Sequence, residues 1–185
     1  MESASIFENT VTQDEAAQLL ITSSALIELS LDDARSVVQY MQPKRIPEGV
    51  VFMREGEKTN TNYMLLVLHG DVSVETHTPG DQVGMVVSII GPGNLIGEMG
   101  ILDGAPRSAT CTAASDLAVA VLSRAALFKL IQEKPQTAAH LTLAISKRLA
   151  DRLRETNQKL KLFSKINNAL QQEINAIMDS RGKGA

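Results

Sequence analysis

The chain has 185 residues, 44% hydrophobic and 21% charged, with a formal net charge of −3, which suits one core with an appendage. Aromatic residues are 3% and Trp is absent, which disfavours a stacking platform for single-stranded nucleic acid. The negative balance, without a basic run, disfavours DNA as a direct partner.

Cys111 is the only cysteine, and His69, His77 and His140 are scattered. No intramolecular disulfide, no metal and no cofactor are therefore expected. The opening "MESASIFENTVTQDE" has acids where a signal peptide needs bases. No run approaches the roughly 18 apolar residues of a spanning helix. The expected location is cytoplasmic, with no membrane association.

Within residues 1–43, the segments 14–22 and 31–41 carry apolar residues at spacings of three and four, predicting two short amphipathic helices. Ser30 is a suitable N-cap, and Asp32 and Asp33 suit a first turn better than a catalytic carboxylate pair. Pro43 is expected to close the helical segment. From 44 to 122 the texture becomes β-branched: "VVFMREGE", "YMLLVLHGDVSVETHTPGDQVGMVVSII", "SATCTA" and "LAVAVL". Gly70-Asp71, Pro79-Gly80-Asp81 and Gly91-Pro92-Gly93 punctuate these runs, predicting seven or eight strands in an antiparallel roll or barrel. Over 123–180 Gly and Pro nearly vanish; Ser123 caps a first helix and Pro135 opens a second. Residues 181–185 are expected to be a disordered tail.

In the second helix Leu149, Leu153, Thr156, Leu160, Phe163, Asn167, Leu170, Ile174 and Ile177 recur by fours and threes, a heptad seam. So long a seam outruns the surface of a small roll, which points to a homodimer through this helix. Asn167 at an inner position suits a two-stranded state of fixed register. The alternative is a break near Ser164, with the last segment folding back on its own domain.

The stretch "GEMGILDGAPRSAT", residues 97–110, sets one acid and one arginine nine positions apart among small residues. Gly97 leaves room for backbone amides to approach an anion. Arg107 adds a charge-assisted grip, and Pro106 limits its freedom. Glu98 is free to accept from a sugar hydroxyl, while Ser108 and Ala109 keep the wall low. A surface Arg-Glu pair in a strand connection is the other reading of these residues. Cys111, in an apolar strand, reads as buried filler and not as a nucleophile.

Gly-Glu, an aliphatic residue, a small residue, an aliphatic residue and then Pro-Arg-Ser-Ala-Thr resembles the phosphate-binding cassette of cyclic-nucleotide-binding domains, the family of catabolite-activator-like sensors. "GVVFMREGE", "YMLLVLHGDVSV" and "SRAALFKLIQEKP" resemble the flanking elements, so the likeness covers about residues 26–160. It implies an α+β fold: an antiparallel, jelly-roll-like β-roll (a double-stranded β-helix) with N-terminal helices and a long C-terminal helix. It implies that Glu98 holds the ribose 2′-hydroxyl, that Arg107 binds the cyclic phosphate, and that Gly97, Met99, Ser108 and Ala109 line the site. Aligned on the same family, Arg152 and Leu153 fall where a lid helix touches the purine. Arginine offers donors only, which suits guanine acceptors better than the adenine amino group, so cyclic GMP stands beside cyclic AMP, the ligand implied by the bacterial branch.

The sequence has no room for a helix-turn-helix module after the lid helix, so the expected role is a stand-alone receptor. Without catalytic activity of its own, it would shift its C-terminal helix on binding and regulate an effector protein. The rival is a coiled-coil adaptor that keeps the roll and ignores nucleotide.

Overall fold

A computed structural model describes residues 11–22, 26–76 and 85–182. The turn expected at Pro79-Gly80-Asp81 lies outside them. The chain divides into two units, Met1–Ile145 and Ser146–Ala185.

In the first unit, helix α1 (Gln13–Leu20) starts one residue earlier than its apolar pattern, because Thr12 and Glu15 cap it reciprocally. The Glu15 amide donates to Thr12 Oγ1 at 3.2 Å and the Thr12 amide to Glu15 Oε2 at 2.7 Å. Helix α2 (Leu31–Val38) begins at Ser30, whose Oγ accepts from the Asp33 amide at 3.1 Å. Their apolar stripes, Ala16 and Leu20 on α1 and Ala34 and Val37 on α2, are fully buried.

The roll has eight strands among the described residues: β1 (Gln42–Ile46), β2 (Val51–Met53), β3 (Tyr63–His69), β4 (Val72–Thr76), β5 (Met85–Ile90), β6 (Leu95–Ile96), β7 (Thr110–Ala113) and β8 (Leu117–Ser123). They form two antiparallel sheets in the orders β1-β8-β3-β6 and β2-β7-β4-β5. Pro43 does not end a helix; it lies inside β1, paired with Ala120. A residue without an N–H is tolerated there because β1 is an edge strand, with one side of its backbone unpaired.

Between the sheets, cross-strand neighbours such as Leu65 with Val121 and Val72 with Ala113 interlock with Ile46, Met53, Val67 and Val119 in one apolar core. The other faces of β3 and β8, with Met64, Leu66 and Leu122, are also fully buried, and the helices pack against these strands. Covering on both faces explains why β3 reads as the unbroken run "YMLLVLH" and not as an alternation.

Helix α3 (Glu98–Asp103) links β6 towards β7, and α4 (Arg124–Glu133) follows β8, with Ser123 Oγ accepting from the Ala126 amide at 3.1 Å. Helix α5 (Pro135–Gly182) starts at Pro135, where the missing N–H is harmless, and continues through Ser164 without a break. It includes Arg181 and Gly182, two residues of the expected disordered tail, because no helix breaker precedes Gly182; residues 183–185 lie outside the described ones. In the second unit, residues 151–175 are all exposed, and Arg154 pairs with Asp151 at 2.6 Å as a solvated helix pair. Among the described residues, no helix is long and apolar enough to cross a membrane.

Candidate functional site

The stretch 97–110 folds as a tight β6–α3–β7 connection in the first unit. Gly97, with φ of 81°, is the N-cap of α3 and provides no side-chain cap. The chain leaves α3 at Gly104, whose amide donates to the Gly100 carbonyl at 2.9 Å, and Asp103 Oδ1 accepts from the Ala105 amide at 2.9 Å. Arg107 is then anchored by its backbone: its amide donates to the Glu57 carbonyl at 3.1 Å and its carbonyl accepts from the Gly56 amide at 2.8 Å. The turn after β2 therefore holds the arginine from the opposite side of the sequence.

Glu98 and Arg107, the acid and the base singled out by the sequence, are both buried, at 3% and 5% exposure. This overturns the surface-pair reading, which needs both in solvent. Arg107 Nη2 donates to the carbonyls of Asn60 at 2.8 Å and Tyr63 at 3.0 Å, and Nη1 to the Gly97 carbonyl at 3.4 Å. The guanidinium carbon lies 4.5 Å from the centroid of the Tyr63 ring. None of these partners carries a formal charge. Among the described residues, Arg107 Nε is buried with no hydrogen-bond partner, an unsatisfied donor on a buried cation.

Two glycines make this placement possible. A Cβ on Gly97 would lie 2.6 Å from Arg107 Nη1, and one on Gly100 would lie 2.8 Å from the Thr61 carbonyl and 3.1 Å from Nη1. Room at Gly97 was expected for an anion, and the structure shows that it also lets the guanidinium pass. Asn60, Thr61, Tyr63 and Gly100 were missed in the sequence. Asn60 has φ of 55°, a left-handed conformation for which asparagine is suited, and the "TNTN" run is the one local signal that could have pointed to it.

Of the remaining expected residues, Met99 is 44% exposed, Ser108 is exposed and Ala109 half-buried beside Arg107. Arg152 and Leu153 belong to the second unit, on exposed positions of α5. Cys111 is buried in β7, and burial pushes its thiol up to about 11, which leaves it protonated and inert. Burial also raises Tyr63, against the opposing effect of the Arg107 charge.

Residues 43–134 match the cyclic nucleotide-binding domain model, and through them the chain belongs to the cyclic nucleotide-binding domain family. The chain is 32% identical over 137 residues to the cyclic AMP receptor protein of Thermus thermophilus, covering 74% of this chain and 60% of that protein. It is 28% identical over 125 residues to a CRP-like cAMP-activated global transcriptional regulator of Mycobacterium tuberculosis, covering 68% and 53%. The chain thus spans little more than half the length of these relatives. Among solved structures, a cyclic nucleotide-binding domain from Methylobacillus flagellatus superposes with a TM-score of 0.67 at 29% identity, covering 80% of this chain and 81% of that one. The Thermus thermophilus catabolite activator protein superposes with a TM-score of 0.65 at 29% identity, covering 79% and 63%.

Proposed function

We propose that this protein is a cyclic nucleotide receptor, with cyclic AMP as first ligand and cyclic GMP as the alternative, and that it acts on a protein partner. The observation that carries the reading is Arg107: a buried guanidinium whose hydrogen-bond partners are neutral carbonyls and whose Nε is unsatisfied. A cyclic phosphate is the compact anion that supplies the missing charge and acceptor. Glu98 takes the ribose hydroxyl, and Gly97, Met99, Ser108 and Ala109 surround the sugar phosphate. The names of the Thermus and Mycobacterium relatives, a cyclic AMP receptor protein and a cAMP-activated regulator, favour cyclic AMP.

In this reading α5 carries the output. Leu153, Leu160, Phe163, Leu170 and Ile174 are each more than half exposed along the heptad seam, an apolar row that a second copy would cover as a parallel two-stranded coiled coil. Asn167 would then face its own counterpart and fix the register of the pair. Ligand shifts the population of α5 placements, and the effector reads the result.

Calorimetry on the wild type and on Arg107→Ala tests the receptor. The substitution should weaken nucleotide binding by about 2–5 kcal/mol, the cost of stripping one member from a buried charge pair. Equal affinities would remove Arg107 from the site, and no binding by wild type would leave the adaptor reading. In the same titrations Arg152→Ala should change the ratio of cyclic AMP to cyclic GMP affinity more than either affinity, and an unchanged ratio removes Arg152 from the base.

A further inference from the structure

Over residues 156–172 of α5 the charged side chains are Lys159, Lys161 and Lys165, in a chain whose net charge is −3. No acid falls within one helical turn of Lys161 or Lys165 on either side. The segment is exposed along its whole length.

Its apolar side chains form two rows. Phe163 and Leu170 lie on the heptad seam, with Asn167 between them. Leu162, Ile166 and Ala169, each one residue earlier, repeat the same spacings of four and three about 100° round the helix. Leu162 is 59% exposed and Ile166 47%. The row one residue later than the seam is Ser164, Asn168 and Gln171, which is polar throughout. The apolar excess therefore lies on one flank of the seam, whereas a helix that broadened its seam for a closer self-pair would carry it on both. Lys161 and Lys165, one residue earlier again, border the second row on its outer edge.

Charge decides what can cover this flank. Two copies laid together along it, parallel or antiparallel about Ile166, bring lysine near lysine with no acid in the segment to answer them, and such like-charge contacts reject a partner. A bilayer binds in proportion to the apolar area it buries, and a row that ends in alanine offers little. Leu162, Ile166 and Ala169 have the i, i+4, i+7 spacing by which one helix anchors another.

We propose that this flank docks the effector, an assignment that rests on the effector reading above, and that the docked segment is an acidic amphipathic helix. Its apolar face lies on Leu162, Ile166 and Ala169, and its carboxylates pair with Lys161 and Lys165. The seam stays available to a second copy, so dimer and effector are held together on different faces of α5.

Fluorescence anisotropy of the full chain with two labelled synthetic helices tests the flank. Both carry leucines at spacings of four and three; one has glutamates beside them and the other lysines. Saturable binding of the glutamate peptide, one per chain, and none of the lysine peptide are expected. The double variant Lys161→Glu with Lys165→Glu should weaken the glutamate peptide by about tenfold or more and let the lysine peptide bind, because like charges replace opposite ones at two exposed places. A gain of binding cannot come from a misfolded chain. Leu162→Gln with Ile166→Gln should abolish binding of the glutamate peptide and leave sedimentation equilibrium as in wild type. No binding, equal binding of the two peptides, no reversal in the charge variant, or loss of self-association with the glutamines would each overturn the proposal. So would phosphatidylglycerol vesicles that pellet wild type but not the charge variant, which would give the flank to a membrane. Failure of cyclic nucleotide to bind would sink the receptor reading and leave every one of these outcomes readable.

Discussion

Arg107 and Tyr63 meet twice: the guanidinium carbon lies 4.5 Å from the ring centroid, and Nη2 donates to the Tyr63 carbonyl at 3.0 Å. The carbonyl belongs to the backbone and survives substitution; the ring does not. Tyr63→Leu should therefore weaken nucleotide binding by about 1–2 kcal/mol, the value of a desolvated cation–π contact, without abolishing it. Calorimetry decides, and an unaltered affinity would show that the ring only fills space.

Gly97→Ala and Gly100→Ala should both destabilise, for different reasons. At Gly97 the new Cβ meets Arg107 Nη1 at 2.6 Å, Met53 Cε at 2.9 Å and the Tyr63 carbonyl at 3.0 Å, on a residue with φ of 81°. A cost of about 1–3 kcal/mol is expected from the backbone conformation alone. At Gly100, within α3, alanine would ordinarily stabilise by about 0.5–1 kcal/mol, but the contact of 2.8 Å with the Thr61 carbonyl should reverse the sign. Urea denaturation of both variants measures this; a more stable Gly100→Ala would mean that the Thr61 segment yields.

Asp33 joins α2 to the first turns of α5. Its carboxylate accepts from Ser30 Oγ and Thr137 Oγ1, each at 2.8 Å, and lies 2.8 Å from His140 Nδ1. Burial pushes its pKa up, but the hydrogen bonds with His140, Ser30 and Thr137 outweigh burial and hold it below its ordinary value of 3.8. A depressed carboxylate contributes stability that is present above the unfolded pKa and is lost as pH falls through the folded one. Stability should decline from just above the ordinary value downward, and Asp33→Asn should flatten that decline. Urea midpoints across this acid range, run in parallel, provide the check; parallel curves would exclude Asp33 as a source.

Phe163 is 67% exposed at an inner heptad position of α5. In the proposed dimer, Phe163→Asp should shift the chain towards monomer in sedimentation equilibrium, because two facing acids cannot share an apolar seam. The melting of the roll should stay close to that of wild type. Monomeric wild type at micromolar concentration would contradict the seam.

What can be read from the sequence follows the range of the forces involved. Ser30 and Ser123 are legible as caps because a cap bonds an amide three residues away. The strand runs are legible from β-branched side chains between turn residues, and the cassette through its resemblance to the family's motif. Pro43 was misread because its tolerance depends on β1 being an edge, and edge status depends on which strand lies beside it.

The chemistry of the site divides in the same way. The sequence offered Glu98 and Arg107, nine positions apart among small neighbours, as the candidate pair. Only the tertiary structure decided that both are buried and that the arginine is held by carbonyls 47 and 44 residues away in sequence. Backbone acceptors leave no mark in side-chain chemistry. Contacts over that separation are set by how the two sheets close, so no local pattern could announce them.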